Sequence, residues 1–463
     1  MSTTAAPSLG TPPSNSDVTP VPARVRSPRL IGVVAVSAIV GPLAAAALTL
    51  GVFAGAPEHV ITGTALLGLA MGWATLAVGS AGLTTRPQRW AVVPAAGMGG
   101  VAIALLVLAP GDAALGAAGW VWPPALLALT TWTTYRAVRS LGFQAPFWVL
   151  SPALVLLVLA SVGGGVETVR LALQGGTPPM PGDLYDVGGY RLHLNCTGTG
   201  TPTVVLLAGM GETSTAWGHV QPAVAGTTRV CSYDREGQGW SDDTPGTQDG
   251  VQLAADLHTL LDRAGERGPY VLAGHSVGGP YAMTYAAQYP DEVAGLVLLD
   301  STSPDQFSAL PDYPGAYAFI RRATALLPVL ERLGAGPLLE SGEAGMLPDP
   351  AAAQARAFAS STRDLRTERD EVAAYPTVFE QAKALTGLGS RPLVVVTATG
   401  GQRQAGWFAA QARLAELSGN STHRFSTATH TGLLFDERDA AVSATAVTDV
   451  VRAVRTDTPV VER

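Results

Sequence analysis

Hydrophobic positions are distributed unevenly along the chain. Early on they run together in five stretches, Leu30 to Ala54, Val60 to Leu83, Trp90 to Ala109, Ala114 to Tyr135 and Phe147 to Val166, none of which contains an Asp, Glu, Lys, Arg or His. Each is near the ~20 residues needed to cross ~30 Å of hydrocarbon. As soluble helices they would have no polar face to turn to water. The pattern therefore predicts an all-α transmembrane bundle of about five helices over residues 30–170. From about residue 183 the pattern becomes an alternation of short strand signals and amphipathic helical ones. The strand signals are Tyr190 to Cys196, Thr203 to Leu207, Arg229 to Tyr233, Tyr270 to Ala273, Val293 to Leu299, Leu393 to Thr397 and His423 to Thr427. The helical signals include Val251 to Ala264, Pro280 to Tyr289, Trp407 to Leu417 and Ala440 to Val454. Continuous Val/Leu runs fit buried strands of a mostly parallel sheet, so residues 183–463 are predicted to form an α/β domain with helices on the sheet faces. One stretch, about 303–390, reads as mostly helical, with Tyr317 to Leu333 amphipathic and Ala351 to Leu385 rich in Ala, Arg and Glu. It is expected to be an inserted helical cap over the carboxyl ends of the strands, where open α/β sheets place their ligands.

Two segments fall outside these blocks. Residues 1–29 are rich in Ser, Thr and Pro without apolar periodicity, as a disordered tail would be. Residues 171–182, with the Gly/Pro-rich run Gly175 to Gly182, read as a linker. The hydrophobic share of 47% against 14% charged agrees with a membrane part. A net charge of -7 with no basic cluster in the second half argues against a nucleic-acid partner. Arginines set the expected orientation. Arg24, Arg26 and Arg29 lie in the tail, Arg86 and Arg89 between the second and third stretches, and Arg136 and Arg139 between the fourth and fifth. The loops around Glu58 and Asp112 carry neither Lys nor Arg. The positive-inside rule then puts the tail in the cytoplasm and the α/β domain outside it, in a protein integral to the cell membrane and in contact with its lipid. A cleaved signal peptide, with Ala54-Gly55-Ala56 as its cleavage site, is the competing reading of the first stretch. Without ionisable groups inside the spans, the bundle reads as an anchor rather than a transporter or channel. The Gly68/Gly72 spacing would let helices approach closely.

Candidate chemistry centres on Gly274-His275-Ser276-Val277-Gly278. The G-x-S-x-G pattern alone is common, but here a strand precedes it and a helix follows, which places Ser276 on an exposed turn flanked by small residues. A serine hydroxyl needs a base, usually a histidine oriented by a carboxylate. Of the seven histidines, His430 follows the last predicted strand and is preferred to His423, which opens that strand. No acid follows Leu393 to Thr397, so Asp300 at the end of Val293 to Leu299 is the expected third member, with Asp305 in reserve. The backbone N–H groups of Val277 and Met210 are the expected donors to an oxyanion. The Gly209-x-Gly211 pair is not a dinucleotide fingerprint, because Ser214 stands at the third glycine position.

With Asp234-Arg235-Glu236-Gly237-Gln238-Gly239-Trp240-Ser241, the elbow, Leu296-Val297-Leu298-Leu299-Asp300 and His430, the stretch from about Asp183 to Val454 resembles the α/β-hydrolase superfamily, in its esterase-like branch with a helical cap. Two positions depart from many relatives: Ala208-Gly209 where they have His-Gly, and Thr429-His430 where they have Gly-His. The resemblance implies hydrolysis of a small-molecule ester through an acyl-enzyme, with no cofactor, and the apolar cap sequence suggests that the ester is hydrophobic. Acyl transfer, cleavage of a small-peptide amide or of a carbon–carbon bond, and a non-catalytic ligand sensor on the same fold stand as alternatives. In the family's strand order the strands of Cys196 and Cys231 would be neighbours, which implies a disulfide outside the cytoplasm. No metal is expected, since no His/Cys/Asp cluster has ligand spacing.

Overall fold

The computed structural model describes residues 28–173, 177–244, 248–336, 342–401 and 404–461; nearly all of the predicted tail, and Gln174, Gly175 and Gly176 of the predicted linker, lie outside the described residues. The apolar stretches form α1 (Pro28–Ala46, continued by a π-helical turn to Val52), α2 (Glu58–Leu83), α3 (Val92–Leu108), α4 (Asp112–Ala118), α5 (Trp122–Leu141) and α6 (Ala145–Leu173). Among the described residues, four segments are continuous, long and apolar enough to cross a membrane: Pro28–Val52, Glu58–Leu83, Arg89–Leu108 and Ala145–Leu173. The fourth predicted span differs. It is broken into α4 and α5, which meet at 47°. Pro123 and Pro124 sit in the first turn of α5, where their missing N–H groups and fixed φ start a helix but cannot continue one. Small residues join α1 to α2: a Cβ on Gly72 would lie 2.8 Å from Gly41 Cα, and one on Gly68 2.2 Å from Ala45 N. At one end of the bundle Ser140 hydrogen-bonds Gln88.

The second domain holds an eight-stranded sheet among the described residues. Its strands are β1 (Asp183–Asp186), β2 (Arg191–Thr197), β3 (Val204–Leu207), β4 (Val230–Tyr233), β5 (Tyr270–His275), β6 (Val293–Leu299), β7 (Leu393–Ala398) and β8 (Ser421–Ser426), in the order β1-β2-β4-β3-β5-β6-β7-β8. β2 pairs antiparallel with β1 and β4, and the remaining pairs are parallel. β1 carries no apolar run and was not foreseen; it pairs with β2 by hairpin register from Asp186↔Arg191 to Asp183↔Leu194. The interior strands are buried on both faces. Val205 and Leu207 of β3 pack with Leu253, Leu257 and Tyr281 of the helices Gly250–Arg263 and Gly278–Gln288. Val204 and Leu206 pack with Val447 and Val451 of Glu437–Thr456. This two-sided burial is why the strands read as continuous apolar runs. Cys196 on β2 and Cys231 on β4 are register partners, and their sulfurs are bonded.

Between β6 and β7 lies a helical insertion with Tyr313–Arg332, Ala351–Ala359 and Thr362–Ala382. The predicted helical run Ala351 to Leu385 is interrupted at Ser360 and Ser361, where the Ser361 side chain caps the following helix by accepting from Asp364 N–H. The insertion rests on the bundle. Arg332 bonds Glu58 at the start of α2 and, at 2.6 Å, Asp112 at the start of α4. Arg170 on α6 bridges Glu167 at 2.6 Å and Glu331 at 2.8 Å. α6 runs about two turns past its predicted end because these charged residues find partners in the insertion. Burial, and then Glu167, push the Glu331 carboxyl up to about 7.

Candidate active site

Ser276 follows β5 with φ +53°, a left-handed conformation that a side chain rarely takes, and the helix Gly278–Gln288 starts two residues later. Close packing explains the glycines: a Cβ on Gly274 would lie 2.5 Å from Gly278 C, and one on Gly278 2.1 Å from Leu207 O. The strained turn is held by Ser276 N–H to Leu299 O (3.2 Å) and Thr302 N–H to Ser276 O (2.9 Å). Ser276 Oγ makes no hydrogen bond to a described residue.

His430, in the loop after β8, has Nδ1 2.6 Å from Asp300 Oδ2. Asp300 directly follows β6 with φ +41° and is fully buried. Its Oδ1 accepts from Ala398 N–H (3.1 Å) and Trp407 Nε1–H (3.2 Å). These bonds fix the carboxylate and leave His430 Nε2 without a partner among the described residues. The alternatives are engaged elsewhere. Asp305 is half exposed, 3.8 Å from Lys383, and His423 Nε2 bonds Thr397 Oγ1 at 2.8 Å. His193 is buried between Asp234 (2.8 Å) and the Pro181 carbonyl (2.5 Å), fixing the loop after β4.

Neither the Met210 N–H nor the Val277 N–H has an acceptor among the described residues. The donors flanking Met210 are taken: Gly209 N–H gives to Glu212 Oε2 (2.6 Å) and Gly211 N–H to Glu371 Oε2 (3.2 Å). Behind this turn, Arg235 donates to the carbonyls of Ala208 (2.8 Å) and Gly209 (2.7 Å) and pairs with Glu371 (3.0 Å). Two free N–H groups on either side of a serine turn can receive an oxyanion.

Glu212 was not foreseen. The same Oε2 lies 3.1 Å from His275 Nδ1, and His275 Nε2 lies 3.0 Å from the His430 carbonyl. One buried pair thus ties the Met210 turn to the loop of His430. Burial opposes charge on both partners, yet each outweighs it for the other: Glu212 lies below its usual range and His275 above. Its only signal in the sequence is an acid two positions after Met210. The one cluster of potential metal ligands among the described residues is Cys196, Cys231 and Glu266, whose sulfurs are bonded to each other and are not thiolates.

Residues 202–345 match the sequence profile of the α/β hydrolase fold. This part of the chain has the α/β-hydrolase fold. Among curated proteins, it is 32% identical over 218 residues to an uncharacterized protein of Schizosaccharomyces pombe, covering 40% of this chain and 38% of that protein. It is 35% identical over 133 residues to a 2-hydroxy-6-oxononadienedioate/2-hydroxy-6-oxononatrienedioate hydrolase of Paraburkholderia xenovorans, covering 27% and 45%. Among solved structures, the enol-lactonase from Burkholderia xenovorans has a TM-score of 0.45 at 20% identity, covering 58% of this chain and all of that one. The chain spans less than half the length of the curated relatives it matches. In this hydrolase fold the serine turn, the Asp300–His430 pair and the Met210 turn all lie at the carboxyl ends of β3, β5, β6 and β8.

Proposed function

We propose that this protein is a membrane-anchored serine hydrolase that cleaves small, hydrophobic carboxylic esters through an acyl-enzyme. The observation that carries this reading is the strained Ser276 turn together with the pairing of buried Asp300 with a partly exposed His430, whose Nε2 is free. Ser276 Oγ attacks the ester carbonyl while His430 Nε2 takes its proton; the Met210 and Val277 N–H groups hold the oxyanion. His430 returns the proton to the leaving alcohol. Water then repeats the sequence on the acyl-enzyme and releases the acid and Ser276. Asp300 holds the proton on Nδ1 and stabilises the imidazolium. Relatives named as hydrolases support the reaction class.

The test is labelling by a fluorophosphonate probe with hydrolysis of short and long p-nitrophenyl esters. Wild type should label and turn over, and Ser276→Ala should do neither. A wild type that does not label would favour a ligand-binding role. The proposed topology, tail inside and hydrolase domain outside, is supported by Arg332, which ties the cap to both the Glu58 and the Asp112 loops. An Ala113→Cys variant should react with an impermeant maleimide on intact cells; reaction only after lysis would reverse the orientation.

A further inference from the structure

The helix Tyr313–Arg332 of the insertion is apolar on two sides. Tyr313, Tyr317 and Ile320 pack into the hydrolase core, where both tyrosine rings meet Phe307. On the opposite side Phe319, Leu326, Val329, Leu330 and, at the helix end, Leu333 recur at intervals of three, four and seven, the spacing of a single helix face. Among the described residues none of these five belongs to a packed core, and Phe319 is 71% exposed.

What lies under this second face follows from where the helix meets the bundle. Arg322, one turn on from Phe319, donates to the Leu50 carbonyl at 2.8 Å and so caps the last turn of the first span. Arg321 packs on Gly55, where a Cβ would lie 2.5 Å from its Nε. Further along, a Cβ on Gly163 of α6 would lie 2.2 Å from Leu333 O. Both spans run toward the hydrolase domain. At about 1.5 Å per residue, Leu50 stands about 30 Å beyond Leu30 and Gly163 about 27 Å beyond Ala145, close to the ~30 Å thickness of a hydrocarbon core. The helix is therefore laid across the bundle at the level where hydrocarbon gives way to headgroups. Val52, Val162 and Val166, at the same level on the two spans, are exposed as well. Arg321 and Arg322 have no carboxylate partner among the described residues. An apolar stripe accompanied by unpaired arginines is the make-up of a helix that lies in the plane of a membrane surface. We propose that this cap helix lies in the headgroup layer, with Phe319 in the acyl chains, so that the partner of its second face is membrane lipid. The proposal rests on the membrane-anchored reading of the bundle and does not depend on Ser276.

The experiment uses the full chain in phosphatidylcholine nanodiscs. Its two native cysteines are bonded to each other, so a bimane on one introduced cysteine reports one position. Phe319→Cys is compared with Leu156→Cys, midway along α6, and with Asp291→Cys, at the amino end of β6 and away from the cap. All three side chains are exposed, so the substitutions spare the core. At position 319 the probe should lose fluorescence to 5-doxyl lipid, lose less to 12-doxyl lipid, and be shielded from iodide. At position 156 the order of the two lipids should reverse, and at position 291 only iodide should quench. Quenching at 319 by iodide alone would put the helix in water and overturn the proposal. Quenching at 319 by neither lipid nor iodide would mean that protein, from this chain or a second copy, covers Phe319, and would overturn it equally. If position 156 also escapes lipid, the membrane reading of the bundle falls and this inference with it; lipid contact at 156 but not at 319 sinks this inference alone.

Discussion

Replacing Asp300 by Asn separates charge and tautomer from shape. Asp300 Oδ1 accepts from two groups that can only donate, Ala398 N–H and Trp407 Nε1–H, at 3.1 and 3.2 Å. An Asn at this position must keep its carbonyl oxygen there, because turning the amide would face NH2 against two buried donors, each left unpaired at about 1–3 kcal/mol. The NH2 group then points along the 2.6 Å contact to His430 Nδ1. Nδ1 must become the acceptor, and the imidazole proton moves to Nε2, the nitrogen needed as base. A wrong tautomer in a Ser-His-Asp arrangement lowers turnover by about 10⁴-fold, or about 5.5 kcal/mol of barrier. The assay is kcat on p-nitrophenyl butyrate with the fluorophosphonate labelling rate, alongside thermal melting. We expect both rates to collapse while the melting temperature stays within a few degrees. A folded Asp300→Asn variant within tenfold of wild-type kcat would refute the reasoning, and Asp305→Asn, half exposed near Lys383, should be fully active.

Three further predictions rest on buried contacts. His275 is raised above 6.5, so its pairing contributes fully below that pH and is lost as pH rises through the raised value; Glu212 is lowered below 4.5, so its share is present above that and lost as pH falls through the lowered value. The stability advantage of wild type over Glu212→Gln should therefore be widest between about pH 4.5 and 6.5, and melting curves giving the same advantage from pH 4 to 9 would contradict this. Replacing Cys196 and Cys231 by Ser opens a loop spanning 35 residues and should lower unfolding stability by about 2–4 kcal/mol in urea; an unchanged midpoint would count against the bond. Arg332→Ala strands Glu58, which is buried, and should destabilise the full chain by about 3 kcal/mol, with faster proteolysis of the cap; unchanged cleavage would mean the cap does not depend on the bundle.

Much of the architecture was legible in the residues themselves. Uninterrupted apolar runs mark helices suited to a membrane, and Val/Leu runs mark strands buried on both faces, because in each case burial alone dictates the pattern. β1 escaped notice because an edge strand of four mixed residues has no such pattern, and the α4–α5 break because two prolines do not say whether they start or end a helix. At the site, Ser276 and the glycines around it were readable from local sterics: the turn after β5 leaves no room for side chains. The sequence favoured Asp300 over Asp305, five positions on, as the partner of His430, and the fold brings Asp300, at the end of an interior strand, to the ring. Glu212 with His275, Arg235 with Glu371, and Arg332 with Glu58 and Asp112 lie 63, 136, 274 and 220 residues apart. Pairings over such distances leave no periodic trace in a chain. Only tertiary structure could decide them, because a charge is buried where a partner comes to meet it.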